Sequence, residues 1–199
     1  MNMNPETKYS DKEKNALKPA FKYTDEQFAD IQMLCYKVEG FENLSLKEKT
    51  YIYYLQEAAL HGRDILFDQN GRYNLRIRRV LEALYQNFTG DRQSAFFQAM
   101  MVYLKRVWFS SGIHHHYGCE KFVPDFTEAD FRAAVKAIPA QHFNLPDAQA
   151  VDNLLDELCP VIFNPDIMPM RVNQKNGEDL VATSACNYYG VGISQEDAE

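Results

Sequence analysis

Apolar residues recur at helical spacing through most of the chain, in blocks set off by capping residues. Thr24-x-x-Gln27 has the form of a capping box, and Phe28, Ile31, Leu34 and Cys35 follow at steps that predict a first helix, closed by Gly40. Ser45-x-x-Glu48 repeats the box and opens a long helix to about His61. Its apolar stripe is Tyr51, Ile52, Leu55, Ala58 and Ala59, with Gly62 placed as a C-terminal cap. Asp68 to Gly71 reads as a turn. Leu75, Ile77, Val80, Leu81, Leu84, Tyr85 and Phe88 then predict a helix ending near Gly90. From about Ser94 to Phe109, the residues Phe96, Phe97, Met100, Met101, Leu104, Val107 and Trp108 wrap more than one face. That helix should be central and buried on several sides. Thr127-x-x-Asp130 starts another, carrying Phe131, Val135 and Ile138. A further helix covers about Pro146 to Cys159, with Val151, Leu154, Leu155 and Leu158, and Pro160 stops it.

The two ends differ from this pattern. Residues 1–22 are charged and nearly devoid of large apolar side chains, which predicts a mobile polar tail ahead of an ordered body at 23–199. Residues 170–184 read as a hairpin around Asn176-Gly177, the pair that a type I′ turn prefers. Ser194-x-x-Asp197 caps a last helix, and the sequence stops at Glu199, so it reads as a helix cut short. The fold class expected is mainly α with a minor β-hairpin near the C-terminus, an α+β arrangement without internal repeats.

Composition narrows the classes. With 46% apolar and 25% charged residues, and only 9 Gly and 8 Pro, the chain is not collagen-like, low-complexity or wholly disordered. Its 199 residues suffice to bury a core without disulfide or metal staples. No apolar run of about 18 residues occurs, so no membrane span is expected. Twenty-one basic against 28 acidic residues give a net charge of −7, which argues against nucleic acid and anionic membranes as partners. Arg72, Arg76, Arg78 and Arg79 read as the solvated face of a helix, and Glu57 and Asp64 as surface or capping carboxylates. Cys35, Cys119, Cys159 and Cys186 are widely spaced and form no C-x-x-C pair, which predicts reduced, mostly buried thiols. The N-terminus lacks the apolar stretch of a secretory signal, so the expected compartment is the cytoplasm.

Candidate chemistry centres on His114-His115-His116. In an extended segment His114 and His116 would share one face and His115 the other. Zinc usually takes three or four protein ligands, and no H-E-x-x-H occurs, so the histidines read as hydrogen-bonding elements of a groove wall rather than as ligands. Gly112, Gly118 and Tyr117 complete a polar, aromatic loop leaving a helix, the kind of element that carries binding residues. Ser110, Ser111 and Ser184 lack a nucleophile-elbow pattern, and Gly190-Val-Gly192 is too short for a dinucleotide fingerprint. No self-sufficient catalytic set is present.

Three long stretches carry a resemblance: YYLQEAALHGRDILFDQNGRYNLRIRR at 53–79, VWFSSGIHHHYGCEKFVP at 107–124 and EDLVATSACNYY at 178–189. Together they resemble the N-terminal region of bacterial dipeptidyl peptidase III proteins, over about 21–199. That family comprises two-lobed zinc exopeptidases that release dipeptides from the N-terminus of oligopeptides. Their zinc is held in the upper lobe by an H-E-x-x-G-H helix and an E-E-x-R/K-A-E/D helix, neither of which occurs in this chain.

The resemblance therefore implies the opening part of the lower lobe, a multi-helix portion with no zinc ligand and no catalytic base. Zinc would belong to the full-length enzyme, and the partners implied are an oligopeptide substrate and the C-terminal catalytic lobe. The pattern Gly112-x4-Tyr117-Gly118-x2-Lys121-Phe-Val-Pro124 aligns with a family segment lining the cleft, which implies substrate-binding roles for His116, Tyr117 and Gly118. Animal members carry a Ser-Phe pair where this chain has His116-Tyr117, so the aromatic is kept and the hydroxyl is replaced by imidazole. The alternative is a stand-alone helical peptide-binding module derived from that lobe, without catalysis.

Overall fold

The computed structural model describes residues 21–198, so the expectation of a mobile tail at 1–22 falls almost wholly outside them. The chain divides into two units, Met1–Thr50 and Tyr51–Glu199. It is mainly helical, with one small antiparallel hairpin among the described residues.

That hairpin lies in the first unit, where the capping-box pattern predicts a helix. Strands β1 (Thr24–Phe28) and β2 (Ile31–Leu34) pair Thr24 with Leu34, Gln27 with Gln32 and Phe28 with Ile31. Ala29 takes a positive φ of 48° in the link between them. Instead of reaching back to cap Thr24, Gln27 faces Gln32, whose side-chain amide donates to the carbonyls of Asp25 and Glu26. In so short an apolar run the 3.6- and 2-residue periods overlap, and Ile31 alone of the apolar set is buried. A helix gains most of its stability from burying a stripe, and there is none here to bury. Gly40, at φ 85°, leads into a 3-10 turn at Phe41–Asn43 rather than ending a helix.

Helix α1 (Leu46–His61) begins as the sequence predicts. Ser45 N donates to Glu48 Oε2 at 2.8 Å, and Glu48 N to Ser45 Oγ at 3.3 Å. These bonds hold the Glu48 carboxyl below its ordinary value. The expected stripe is not buried, however: no residue of α1 is, and Tyr51, Tyr54 and Leu55 are 65%, 66% and 51% exposed.

In the second unit, Gly62 has an ordinary φ of −78° and precedes α2 (Arg63–Asn70), which absorbs the turn expected at Asp68 to Gly71. Helices α3 (Asn74–Asn87), α4 (Ala95–Ser110), α5 (Glu128–Lys136) and α6 (Ala148–Phe163) enclose the core. Leu81 and Leu84 of α3, Met100 and Leu104 of α4, Phe131 of α5 and Leu155 and Leu158 of α6 are essentially inaccessible. Thr127 caps α5 through its hydroxyl, as the sequence suggests, and Ser94, read there only as the start of the helix, caps α4 in the same way. Helix α4 is buried on several sides up to Val107, then exposes Trp108 and Phe109.

Pro160 does not stop α6, which runs on to Phe163. A proline inside a helix costs about 3 kcal/mol. The turn beyond it buries Val161 and Ile162, each contributing roughly 1.5–3 kcal/mol, so continuation wins.

Arg72, Arg76 and Arg79 are exposed, as a solvated face implies, while Arg76, Arg78 and Arg79 also meet carboxylates and Arg72 turns to Tyr73 Oη. Arg76 makes two bonds to Glu157. Arg78, stacked over the Phe67 ring, bonds Asp64 at 2.8 Å and Glu82 at 2.9 Å. The expected C-terminal hairpin is also absent. Gly177 does turn the chain, at φ 85°, but Asp179 caps a helical turn, α7 (Leu180–Thr183), by accepting from Val181 N and Ala182 N. Met170 instead meets Ser184 in a parallel bridge. Ser194 and Asp197 cap α8 (Gln195–Ala198) reciprocally. All four cysteines are free thiols, with Cys159 and Cys186 buried, Cys119 half-buried and Cys35 exposed. No helix among the described residues is long and apolar enough to cross a membrane.

Candidate functional site

The loop after α4 is built on a small polar foundation. Ser111 ends the helix at φ 52°, and the Asn70 amide donates to its carbonyl at 3.1 Å. Ile113 N donates to Asn74 Oδ1 at 3.3 Å, which ties the loop to the first turn of α3. From there four short segments lie side by side. Phe122 N donates to Ile113 O and His115 N to Glu120 O, closing the loop on itself. Lys121 N donates to Pro169 O and Arg171 N to Cys119 O, adding residues 169–171. Ala185 N donates to Met170 O and Cys186 N to Arg171 O, adding residues 184–186. Asn187 then bonds the carbonyls of Asp68 and Gln69, and Tyr188 Oη donates to Asn70 Oδ1, so this layer abuts the end of α2.

The three histidines do not alternate as an extended strand would place them. His114 is 2% exposed, and its Nε2 lies 2.8 Å from Met168 O. Burial is the main cause that lowers its pKa to about 4, with Lys121 and Arg171 adding repulsion and the Met168 bond opposing them. It is therefore neutral near pH 7. At His115 the chain turns, and Nδ1 accepts from Tyr117 N at 3.2 Å and Gly118 N at 3.0 Å. The turn brings the His115 and His116 rings to 4.5 Å and the His116 and Tyr117 rings to 4.5 Å, with Phe109 4.9 Å from His116. The result is a continuous shelf of rings. Tyr117 stands at its tip, 85% exposed, with Gly118 exposed beside it and His116 half-buried behind.

Lys121 anchors the returning leg. Its Nζ donates to the carbonyls of Val161, Asn164 and Ile167, all within 2.9 Å, and so closes the C-terminal end of α6. Burial pulls its pKa down to about 8, partly offset by Asp166. Arg171 Nη2 donates to His116 O at 3.1 Å and lies 3.5 Å from Cys119 Sγ.

The structure brings His116, Tyr117 and Gly118 together at one loop tip. Ser184 is engaged structurally, its Oγ accepting from Asn173 N. Sequence reasoning missed the asparagines: Asn70, Asn74 and Asn173 are all buried and hold this loop system. Asn70 ahead of Gly71 was the one local signal, since Asn-Gly marks a chain reversal near a helix end. Among the described residues no three His, Cys, Asp or Glu side chains are grouped to hold a metal ion. His114 Nε2 is engaged by Met168 O and His115 Nδ1 by backbone amides. The chain matches no protein-family model and no curated protein sequence.

Proposed function

We propose that this chain is the N-terminal, substrate-binding portion of the lower lobe of a zinc-dependent dipeptidyl peptidase III, which cleaves dipeptides from the N-terminus of oligopeptides. The observation that carries the reading is Tyr117, a large aromatic held out in solvent on a shelf whose roots are buried and hydrogen-bonded. An exposed ring on a rigid base offers an apolar face to an extended peptide at small entropic cost, and the Glu120 carboxylate packs into the space beside Gly118. His116, whose ring packs against Tyr117, lines the same wall.

Zinc, in this reading, is held outside the chain, and its chemistry there is to polarise a scissile carbonyl and a bound water. The chain itself orients substrate. The apolar side chains that α1 leaves in solvent support a covering partner lobe. Incubated with stoichiometric zinc and a dipeptidyl-naphthylamide, this chain should give no turnover, and robust hydrolysis would overturn the assignment.

A second reading, a non-catalytic helical peptide-binding module, draws on the closed core of the second unit, which packs α3, α4, α5 and α6 without outside help. Micromolar affinity of the chain for short peptides, measured by calorimetry, favours the module. Catalysis restored only on adding the rest of a peptidase favours the first reading.

A further inference from the structure

Asn-Gly occurs twice in the chain, at Asn70-Gly71 and Asn176-Gly177, and the fold treats the two pairs in opposite ways. The chemistry at stake is a ring closure. The backbone nitrogen after an asparagine can attack the side-chain Cγ when nothing blocks or restrains either atom, and glycine, without a Cβ, hinders that attack least.

At Asn70-Gly71 both partners are tied. Asn70 is 8% exposed, its Nδ2 donates to Ser111 O at 3.1 Å, and its Oδ1 accepts from Tyr188 Oη at 3.1 Å. It is the last residue of α2, and Gly71 N donates to Asp68 O at 3.3 Å. The nitrogen and the carbon cannot approach without undoing the end of that helix.

At Asn176-Gly177 neither group is held. Both residues are exposed, in a turn closed by Glu178 N donating to Lys175 O at 3.2 Å. Neither the Asn176 side chain nor Gly177 N has a hydrogen-bond partner among the described residues. Gly177 takes φ 85°, and a Cβ built on it would meet nothing within 4 Å, so the space around it is open.

We propose that Asn176 is a site of spontaneous deamidation, which the fold leaves open at this turn while shielding Asn70. Gly177 N bonds to Asn176 Cγ, the Cγ–Nδ2 bond breaks, and the proton from Gly177 N ends on the departing ammonia. Water then opens the succinimide. Cleavage of the new N–Cγ bond gives aspartate, and cleavage of the original peptide bond gives isoaspartate. Overall an amide and one water become an acid and ammonia, so no oxidant or enzyme is required. Either product adds a carboxylate close in sequence to Glu178 and Asp179, and isoaspartate also inserts one carbon into the backbone path. Glu178 accepts from Asn173 Nδ2, and Asn173 N donates to Ser184 Oγ, so the altered turn bears on the buried asparagine that fastens the 184–186 segment. The inference is independent of the peptidase reading.

The test incubates the full chain in mildly alkaline buffer, samples it over days, and maps its peptides by mass spectrometry with electron-transfer fragmentation, which separates isoaspartate from aspartate. Asn176 should convert at least about ten-fold faster than Asn70, because reaction at Asn70 waits on local opening. In urea that unfolds the chain, the two rates should become similar. Isoaspartate should appear at residue 176, and Asn176→Gln, which would need a larger ring, should keep its amide while Asn70 reacts as before. Folded-state rates of the same order overturn the proposal, as does a difference that survives unfolding. Conversion of Asn176 to aspartate without isoaspartate overturns the ring-closure route.

Discussion

Gly112 and Asn74 lie so close that a Cβ on Gly112 would fall well inside contact distance of Asn74 Nδ2. Gly112 also holds φ 153°, which L side chains rarely adopt. The Asn74 amide is buried at the first turn of α3 and carries the Ile113 N–H, so it has nowhere to withdraw. Gly112→Ala should therefore lose about 3 kcal/mol of stability, combining backbone strain with overpacking. Urea unfolding followed by circular dichroism measures this, and a loss under about 0.5 kcal/mol would show that the loop root is soft.

Lys121 joins the same loop to the end of α6 through three carbonyls. Lys121→Met keeps most of the stem but removes every donor, and should cost about 2 kcal/mol through the part-buried carbonyls of Val161 and Ile167 left unmet. Lys121→Arg should not rescue, because a planar fork does not reproduce an ammonium pointing at three acceptors. Thermal melts of the three proteins decide the matter.

Tyr117 should behave in the opposite way. At 85% exposure its truncation to alanine should leave stability within about 0.5 kcal/mol of the native chain. In the complete peptidase proposed above, the same change should raise KM or lower kcat/KM about ten-fold while zinc content stays intact. Metal analysis alongside kinetics checks both halves, and loss of zinc would show that the loop is misplaced.

The thiols should separate in reactivity. Burial pushes Cys159 up to about 11, so little thiolate exists at pH 8, and the surrounding core also blocks reagent. Cys35 is exposed. Iodoacetamide on the folded chain should label Cys35 within minutes and leave Cys159 untouched until denaturant is added, as peptide mass mapping would show.

What the sequence made legible was local. The Ser45, Thr127 and Ser194 caps form, because a cap needs only its own turn, whereas the Thr24 box is lost to the hairpin. Readings that depended on distant partners fared worse. The run Phe28, Ile31, Leu34 satisfies a helix only if something buries it, and the structure pairs it as a hairpin instead. Pro160 was read by its own propensity, although Val161 and Ile162 on the far side of it belong to the core. The Asn176-Gly177 turn is present, but its flanks were claimed by the Asp179 cap and by Asn173. The loop tip at His116, Tyr117 and Gly118 could be located by residue type, whereas its support by Asn70, Lys121 and Met168 spans separations of about 40 to 54 residues. No local pattern reports such partners.

Helix α1 has a sixteen-residue span with no buried side chain, so its helicity draws on capping and propensity alone. A segment of that length is close to the coil boundary in water. It should be the first helix of the chain to fray on warming and the first to gain order when an apolar surface closes over it. Its winding would then be part of the free energy of association, and an affinity measured through α1 would carry the heat-capacity signature of folding as well as of contact.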